Sequence, residues 1–382
     1  MKPITTGRKA WIYIIMLLHM SYGFSQSAGF DGMLAGWGTL SYSEKLNGQL
    51  GARYIPELNF ETPVGEKYKI GTELSANVWA SSTFWSNDSI CLDEDLKPYR
   101  MWIRFSGDQF EVRAGLQKIN FGSATMLRPL MWFDRIDPRD PLQLTDGTYG
   151  LLARYYFLNN ANIWVWGLIG NKDPKGWEVF GSEKDRPEFG GRIQVPVYTG
   201  EIGLSYHNRS VDIPASNLGG TPRHFTPENR FALDVKIDIG IGLWFESSLK
   251  HAEIIYTPDP FTRSFTAGAD YTFGIGNGLG LMTEVFNYSV ARKAFGEGDG
   301  VTFQALSVTY PLTIFTNLNA IVFYDWENDD LYNFINCTFT FDKWTFYIMG
   351  FWNPDRFAVY PGADEVNLFA GKGIQLMAVF NH

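Results

Sequence analysis

Cysteine is nearly missing: the chain has 2 in 382 residues. Cys91 and Cys337 lie far apart, and two cysteines make no disulfide framework. Basic charge is also short, with 32 Lys and Arg against 41 Asp and Glu and a formal net charge of −9. That balance argues against a nucleic-acid binder, which normally carries a basic patch or stripe. No HExxH, GxSxG or paired-cysteine metal pattern occurs. His207 and His251 share strand faces with Ser205 and Ser247, but a hydrolase needs nucleophile and base in contact plus an oxyanion hole. Wall residues are the plainer reading, so no catalytic residue, metal site or cofactor is expected. The glycine-rich run 274–280 sits in a tight turn, without the strand–turn–helix context of a dinucleotide site. Long apolar runs are missing too. Past residue 26 no stretch approaches the ~18 apolar residues of a membrane helix, so a chain in a membrane would not be there as helices.

What is present begins with a leader. Lys2, Arg8 and Lys9 form a basic stretch, Trp11 to Met20 an apolar one, and Gly23 and Ser25 sit at −3 and −1 of a cleavage before Gln26. The expectation is a signal peptide over 1–25, removed on secretion, and one domain over 26–382.

That domain alternates. In 49–61, Leu50, Ala52, Tyr54, Leu58 and Phe60 oppose Gln49, Arg53, Glu57, Asn59 and Glu61. In 230–238, Phe231, Leu233, Val235 and Ile237 oppose Arg230, Asp234, Lys236 and Asp238. A one-residue slip would exchange the faces entirely, so the register is strongly specified. The connections also alternate. Short ones fall near 63–66, 107–108, 159–160, 198–200, 239–240, 274–277, 311–313 and 342–343. Longer or more polar ones fall at 44–48, 81–97, 120–147, 171–186, 212–228, 255–262, 291–300, 327–330 and 353–370. Outer-membrane barrels have this asymmetry, with short periplasmic turns and long outer loops. The fold expected is all-β: a transmembrane antiparallel barrel of about eighteen strands, sixteen being the other even count the segments allow. Aromatics near segment ends (Trp79, Phe84, Tyr155, Phe157, Phe273, Tyr310, Phe323, Tyr324, Phe341, Trp344) read as interface girdles. Ile374, Leu376, Ala378 and Phe380 alternate in the last segment, followed by Asn381 and His382. Such a strand resembles the signal read by the outer-membrane assembly machinery.

The longest connection combines charges, aromatics and prolines. Trp132 and Phe133 need something to pack on, and Pro129, Pro138 and Pro141 stiffen the chain around them. The expectation is a loop folded into the barrel mouth, with Arg128, Asp134, Arg135, Asp137, Arg139 and Asp140 placing both signs across a constriction. The alternative is an external lid. Polar strand faces would line an aqueous lumen. They carry Arg53, Arg100, Arg104, Arg113, Arg154, Arg192, Arg209 and Arg230, with carboxylates that include Glu111 and Glu188. Guanidinium forks along a wall would attract anions. The rival reading is that lumen acids neutralise them and the pairs brace the wall.

The arrangement GLQKINFG followed by DRIDPRD, at 115–122 and 134–140, resembles a pattern of Gram-negative outer-membrane porin-like proteins. There a strand ending in Gly-Arg-Gln, an apolar pair and Trp-Gly leads to an Asn-Pro-x-Asp turn. Here Leu116, Phe121 and Asp137 stand in place of the Arg, Trp and Asn. The resemblance implies a β-barrel channel in the Gram-negative outer membrane with a loop reaching inward. It does not identify the solute; the charges on the polar strand faces lead to the expectation of passive diffusion of small polar solutes, anions among them. It leaves open whether copies associate as a homo-oligomer. Export channels for acidic polysaccharide, of the alginate-export type, are similar in strand number and lumen arginines and remain a variant. From another class, a surface adhesin with an occluded lumen remains open. It would bind its partner through the 353–370 loop with Arg356, Phe357, Tyr360 and Asp364.

Overall fold

The computed structural model describes residues 27–85, 90–214, 223–254, 258–354 and 369–382. The expected signal peptide lies outside them, as do Arg356, Phe357, Tyr360 and Asp364 of the 353–370 loop. Among the described residues no segment is helical, and eighteen strands form one sheet. They are β1 (Ser27–Ser43), β2 (Lys45–Val64), β3 (Tyr68–Trp85), β4 (Ile90–Ser106), β5 (Phe110–Gln117) and β6 (Thr148–Tyr156). Next come β7 (Asn162–Leu168), β8 (Glu188–Val197), β9 (Gly200–Ile213), β10 (His224–Asp238), β11 (Gly242–Ala252) and β12 (Phe261–Phe273). The last six are β13 (Leu279–Ala291), β14 (Gly298–Thr313), β15 (Thr316–Asp325), β16 (Asp330–Thr340), β17 (Trp344–Trp352) and β18 (Lys372–Asn381).

Each strand pairs antiparallel with its sequence neighbours, and β1 pairs with β18. The sheet therefore closes on itself and no edge is left unpaired, as lipid requires of any backbone crossing it. At the seam, Leu34 faces Phe380 and Met33 faces Asn381. The ladder continues one step further, because Gly32 and His382 exchange N–H···O bonds at 3.1 Å. Asn381 and His382 thus extend the closing strand past Phe380 rather than trailing from it.

The two-residue period sets the faces. Leu50, Leu58, Leu204 and Phe231 point outward and are more than half exposed, whereas Ser205, His207, Arg230 and Asp234 point inward and are buried. Apolar outside and polar inside is the inverse of a soluble sandwich. The long connections share one end of the barrel and the tight turns share the other.

Three expectations need correction. The 81–97 segment is not an open loop: β3 runs up to Trp85, β4 starts at Ile90, and Phe84 faces Ile90 across the ladder. The 44–48 hairpin narrows to Glu44, in the left-handed region at φ 47°, with Gly48 already inside β2. Trp79 and Phe323 are not girdle residues. Trp79 faces inward under the Arg53 guanidinium, and Phe323 is fully buried in an interior cluster.

Candidate functional site

The connection from β5 to β6 enters the barrel and packs on its inner wall. Gly115, at φ 121°, sits where a Cβ would lie 2.1 Å from the Met101 carbonyl oxygen, so the strand leading into the connection tolerates no side chain there. Gln117 is fully buried and donates to the carbonyls of Arg113 and Gly150. Beyond it, Ile119, Phe121, Leu130, Trp132 and Phe133 pack on Leu152, Trp166, Leu168 and Ala232, from the inner faces of β6, β7 and β10. Met126, Leu127 and Met131 pack among Phe286, Phe303, Phe323 and Phe334 of β13 to β16. On the way out, Leu142 touches the cluster of Ala35, Met377 and Val379, on β1 and β18. One segment therefore touches walls on several sides of the lumen. Burying each large apolar side chain stabilises this placement by ~1.5–3 kcal/mol.

Two wall carboxylates hold its deepest turn. Glu284 on β13 accepts the backbone N–H groups of Thr125 (2.7 Å), Met126 (2.9 Å) and Leu127 (2.6 Å), and the Trp244 indole N–H at 3.0 Å. Glu246 on β11 accepts the Ala124 N–H at 2.6 Å. Gly122, at φ 102°, would place a Cβ 2.3 Å from the Glu246 Oε1, so only glycine fits against this clasp. Trp132 donates to Ser248 of β11, and Thr266 of β12 donates to the Leu127 carbonyl. The β7–β8 connection lies against the same segment: the Trp177 indole N–H donates to the Arg128 carbonyl at 2.7 Å, and Arg135 donates to the Pro174 carbonyl.

The six charges expected at a constriction separate by environment. Arg128 and Asp134 are buried and pair at 3.0 Å. Burial pushes the Asp134 carboxyl up, and the Arg128 guanidinium opposes the rise. Arg139 is buried against Asp137 at 2.5 Å, over the Phe334 ring. Arg135 is exposed. Asp140 is half-buried and accepts the Leu142 N–H. Burial raises its carboxyl pKa, the Leu142 N–H and Arg53 oppose the rise, and Asp137 adds to it.

The wall arginines separate in the same way. Arg192 is bidentate on Asp234 (2.5 and 2.7 Å). Arg209 and Arg230 share Glu178 and Glu228 at 2.5–3.0 Å. These three side chains are at most 3% exposed; they brace the wall beneath the loops and do not line open space. Glu188 belongs with them, accepting from His207 at 3.0 Å, while the Trp166 indole N–H occupies the other ring nitrogen. Arg100 is buried and donates to the Thr145 carbonyl at 3.0 Å, holding the returning limb of the inward segment.

Elsewhere on β2 to β6, the inward arginines other than Arg100 keep solvent contact. Arg104, Arg113 and Arg154 are 27%, 17% and 16% exposed. Arg104 pairs with Glu61 at 2.9 Å, and Arg113 and Arg154 share the single carboxylate of Glu111 at 3.4 and 3.0 Å. Each arginine lies over an indole: Arg154 over Trp164 (3.9 Å), Arg113 over Trp102 (4.5 Å), Arg104 over Trp102 (5.7 Å) and Arg53 over Trp37 (5.7 Å). Ring faces fix the guanidiniums without neutralising them. Arg53 has no ion-pair partner among the described residues. Alternation marks Glu246 and Glu284 as strand carboxylates without revealing their clasp, and it singles out neither these tryptophans nor Glu178. Trp102 shares a polar-face register with Arg104, and that spacing was the available signal.

No family model matches the chain, and no curated protein does. Solved structures are similar to it in fold. OccD3 (OpdP) of Pseudomonas aeruginosa is 10% identical at a TM-score of 0.56, over 94% of this chain and 92% of that one. OccAB1 of Acinetobacter baumannii is 9% identical at 0.55, over 94% and 98%. The anion-selective porin from Comamonas acidovorans is 12% identical at 0.50, over 94% and 100%. At such identities the likeness is one of architecture: the chain has the fold of Gram-negative outer-membrane porins.

Proposed function

We propose that this barrel sits in the outer membrane of a Gram-negative cell, its signal peptide removed, and lets small polar solutes diffuse through passively. Anions are favoured among them. The observation that carries this reading is the division of the lumen. A segment clasped to Glu246 and Glu284 fills part of it, while the inward arginines Arg53, Arg104, Arg113 and Arg154 stay partly exposed. Fixed guanidiniums beside a solute path lower the barrier for anions, because charged groups lining a pore set its selectivity. Carboxylates on the same wall, with the acids of the inward segment, give the path a transverse field that penalises large apolar solutes through desolvation.

Purified full-length protein in a planar bilayer tests the reading. Stepwise conductance with a reversal potential on the anion side of a salt gradient is expected. A chain that inserts but passes no current is the occluded adhesin barrel instead.

A further inference from the structure

The outer wall carries a groove of about 950 Å³ across β7 to β12. Its lining is outward and apolar: Val165, Ile193, Leu204, Phe231, Phe245 and Phe265. It exists partly because Gly191, outward on β8, has no side chain to fill it. Phe295, 92% exposed on the β13–β14 connection, closes one side.

Arg263 lies at the groove's rim. It alternates with Ser264 and Thr266, which are buried inward, so it shares the outer face with Phe265. From the tight turn after Phe273, the outward positions of β12 are Phe273, Tyr271, Ala269, Ala267 and Phe265, and then Arg263. At ~3.4 Å per residue and a tilt of about 40°, that run climbs ~25 Å, the height of the apolar band of an outer-membrane barrel. Further along the groove, β9 and β10 turn polar one outward position past the residues in register with Arg263 (Leu249, Phe231 and Tyr206), with Asn208 after Tyr206 and Asn229 above Phe231. Those groups satisfy one another: Tyr206 Oη and Asn208 Nδ2 both donate to Asn229 Oδ1, at 2.8 and 3.0 Å. Arg263 is different. It has no ion-pair partner among the described residues, and its Nε is buried without a hydrogen-bond acceptor. Arg292 and Lys293 lie on the same connection as Phe295, and Arg292 is 3.8 Å from Asp259.

An unpartnered guanidinium where acyl chains give way to head groups, above an apolar trough open to lipid, is complementary to one kind of molecule. We propose that this groove holds an anionic, phosphate-bearing lipid, with an acyl chain along Leu204, Phe231 and Phe245 and the phosphate accepting from Arg263. The phosphate oxygens supply the acceptors that the fold withholds, and guanidinium matches them as a fork. The site is outside the lumen, so it is independent of what the channel passes.

Native mass spectrometry of the full-length protein in detergent tests the proposal, with phosphatidylglycerol and the phosphate-free diacylglycerol of identical acyl chains as probes. Phosphatidylglycerol is expected to bind at roughly tenfold lower concentration, as a charge-assisted hydrogen bond would give. Arg263→Gln should bring the two lipids level, Arg263→Lys should keep much of the preference, and Leu204→Trp, which fills the trough, should weaken both. Equal binding of the two lipids to the unaltered protein overturns the proposal, as does a preference that survives Arg263→Gln. Bilayer conductance of Arg263→Gln should equal that of the unaltered protein, so loss of lipid preference and loss of the channel reading are separable.

Discussion

Glu284 and Leu127 stand 157 positions apart, yet the Oε2 of one accepts the backbone N–H of the other at 2.6 Å. The same carboxylate takes the N–H groups of Met126 and Thr125. Backbone donors at a turn with no partner of their own form an anion-binding concavity, and here a wall carboxylate fills it. Hydrogen bonds to a charged group contribute ~1.5–3 kcal/mol each. Glu284→Ala should therefore free the turn: amide hydrogen exchange at Thr125, Met126 and Leu127 is expected to speed up by ~10²-fold or more, and open-channel current should become larger and noisier. Glu284→Gln, with one acceptor oxygen in place of two, should fall between. Unchanged exchange and current in Glu284→Ala would mean that the apolar packing of Leu127 and Trp132 suffices to hold the segment.

The barrel was legible because its signal is local. Leu50 against Gln49 and Arg53, or Phe231 against Arg230, sets a face from adjacent residues alone, and closure follows from eighteen such segments with no edge to spare. The site was legible only in part. Arg113 and Arg192 occupy equivalent polar-face positions, and alternation cannot tell them apart. What separates them is distant in sequence: Asp234, which neutralises Arg192, and Phe121 of the inward segment, whose ring lies 5.1 Å from its guanidinium. Arg113 has Trp102 and half of one glutamate. The 81–97 stretch misled for the opposite reason. Its acids Asp93, Glu94 and Asp95 look like a loop, but they ride on a strand whose partner, β3, supplies the pairing.

That division predicts two different phenotypes. Arg113→Ala with Arg154→Ala leaves Glu111 unneutralised on the solute path, and should move the reversal potential toward cations. The shift should be larger at 0.01 M salt than at 1 M, where charges are screened within ~3 Å. Arg192→Ala should leave selectivity alone and instead destabilise the fold by ~3–5 kcal/mol, since it abandons the buried Asp234 carboxylate. Urea unfolding midpoints of the detergent-folded variants would read that loss. A selectivity change from Arg192→Ala, without destabilisation, would place that arginine on the path after all.

Asp140 offers a pH handle on the same path. Arg53 and Asp140 lie within electrostatic reach of each other. Burial holds the Asp140 carboxyl above the ordinary carboxylate range, and Asp137 beside it adds to the rise. The sign follows from which form burial disfavours. A raised carboxyl takes up its proton earlier as pH falls, so Asp140 becomes neutral while ordinary acids, with pKa near ~4, are still charged. The folded chain binds that proton more tightly than the unfolded one, so this group favours the folded state increasingly as pH drops through its folded value. Losing the negative charge leaves Arg53 less opposed. As pH is lowered, reversal potentials should therefore drift toward anions before the ordinary carboxylates titrate. Asp140→Asn should show the drifted value already at pH 7 and lose that part of the pH dependence. A drift that persists undiminished in Asp140→Asn would assign the titration to another carboxyl and take Asp140 off the path.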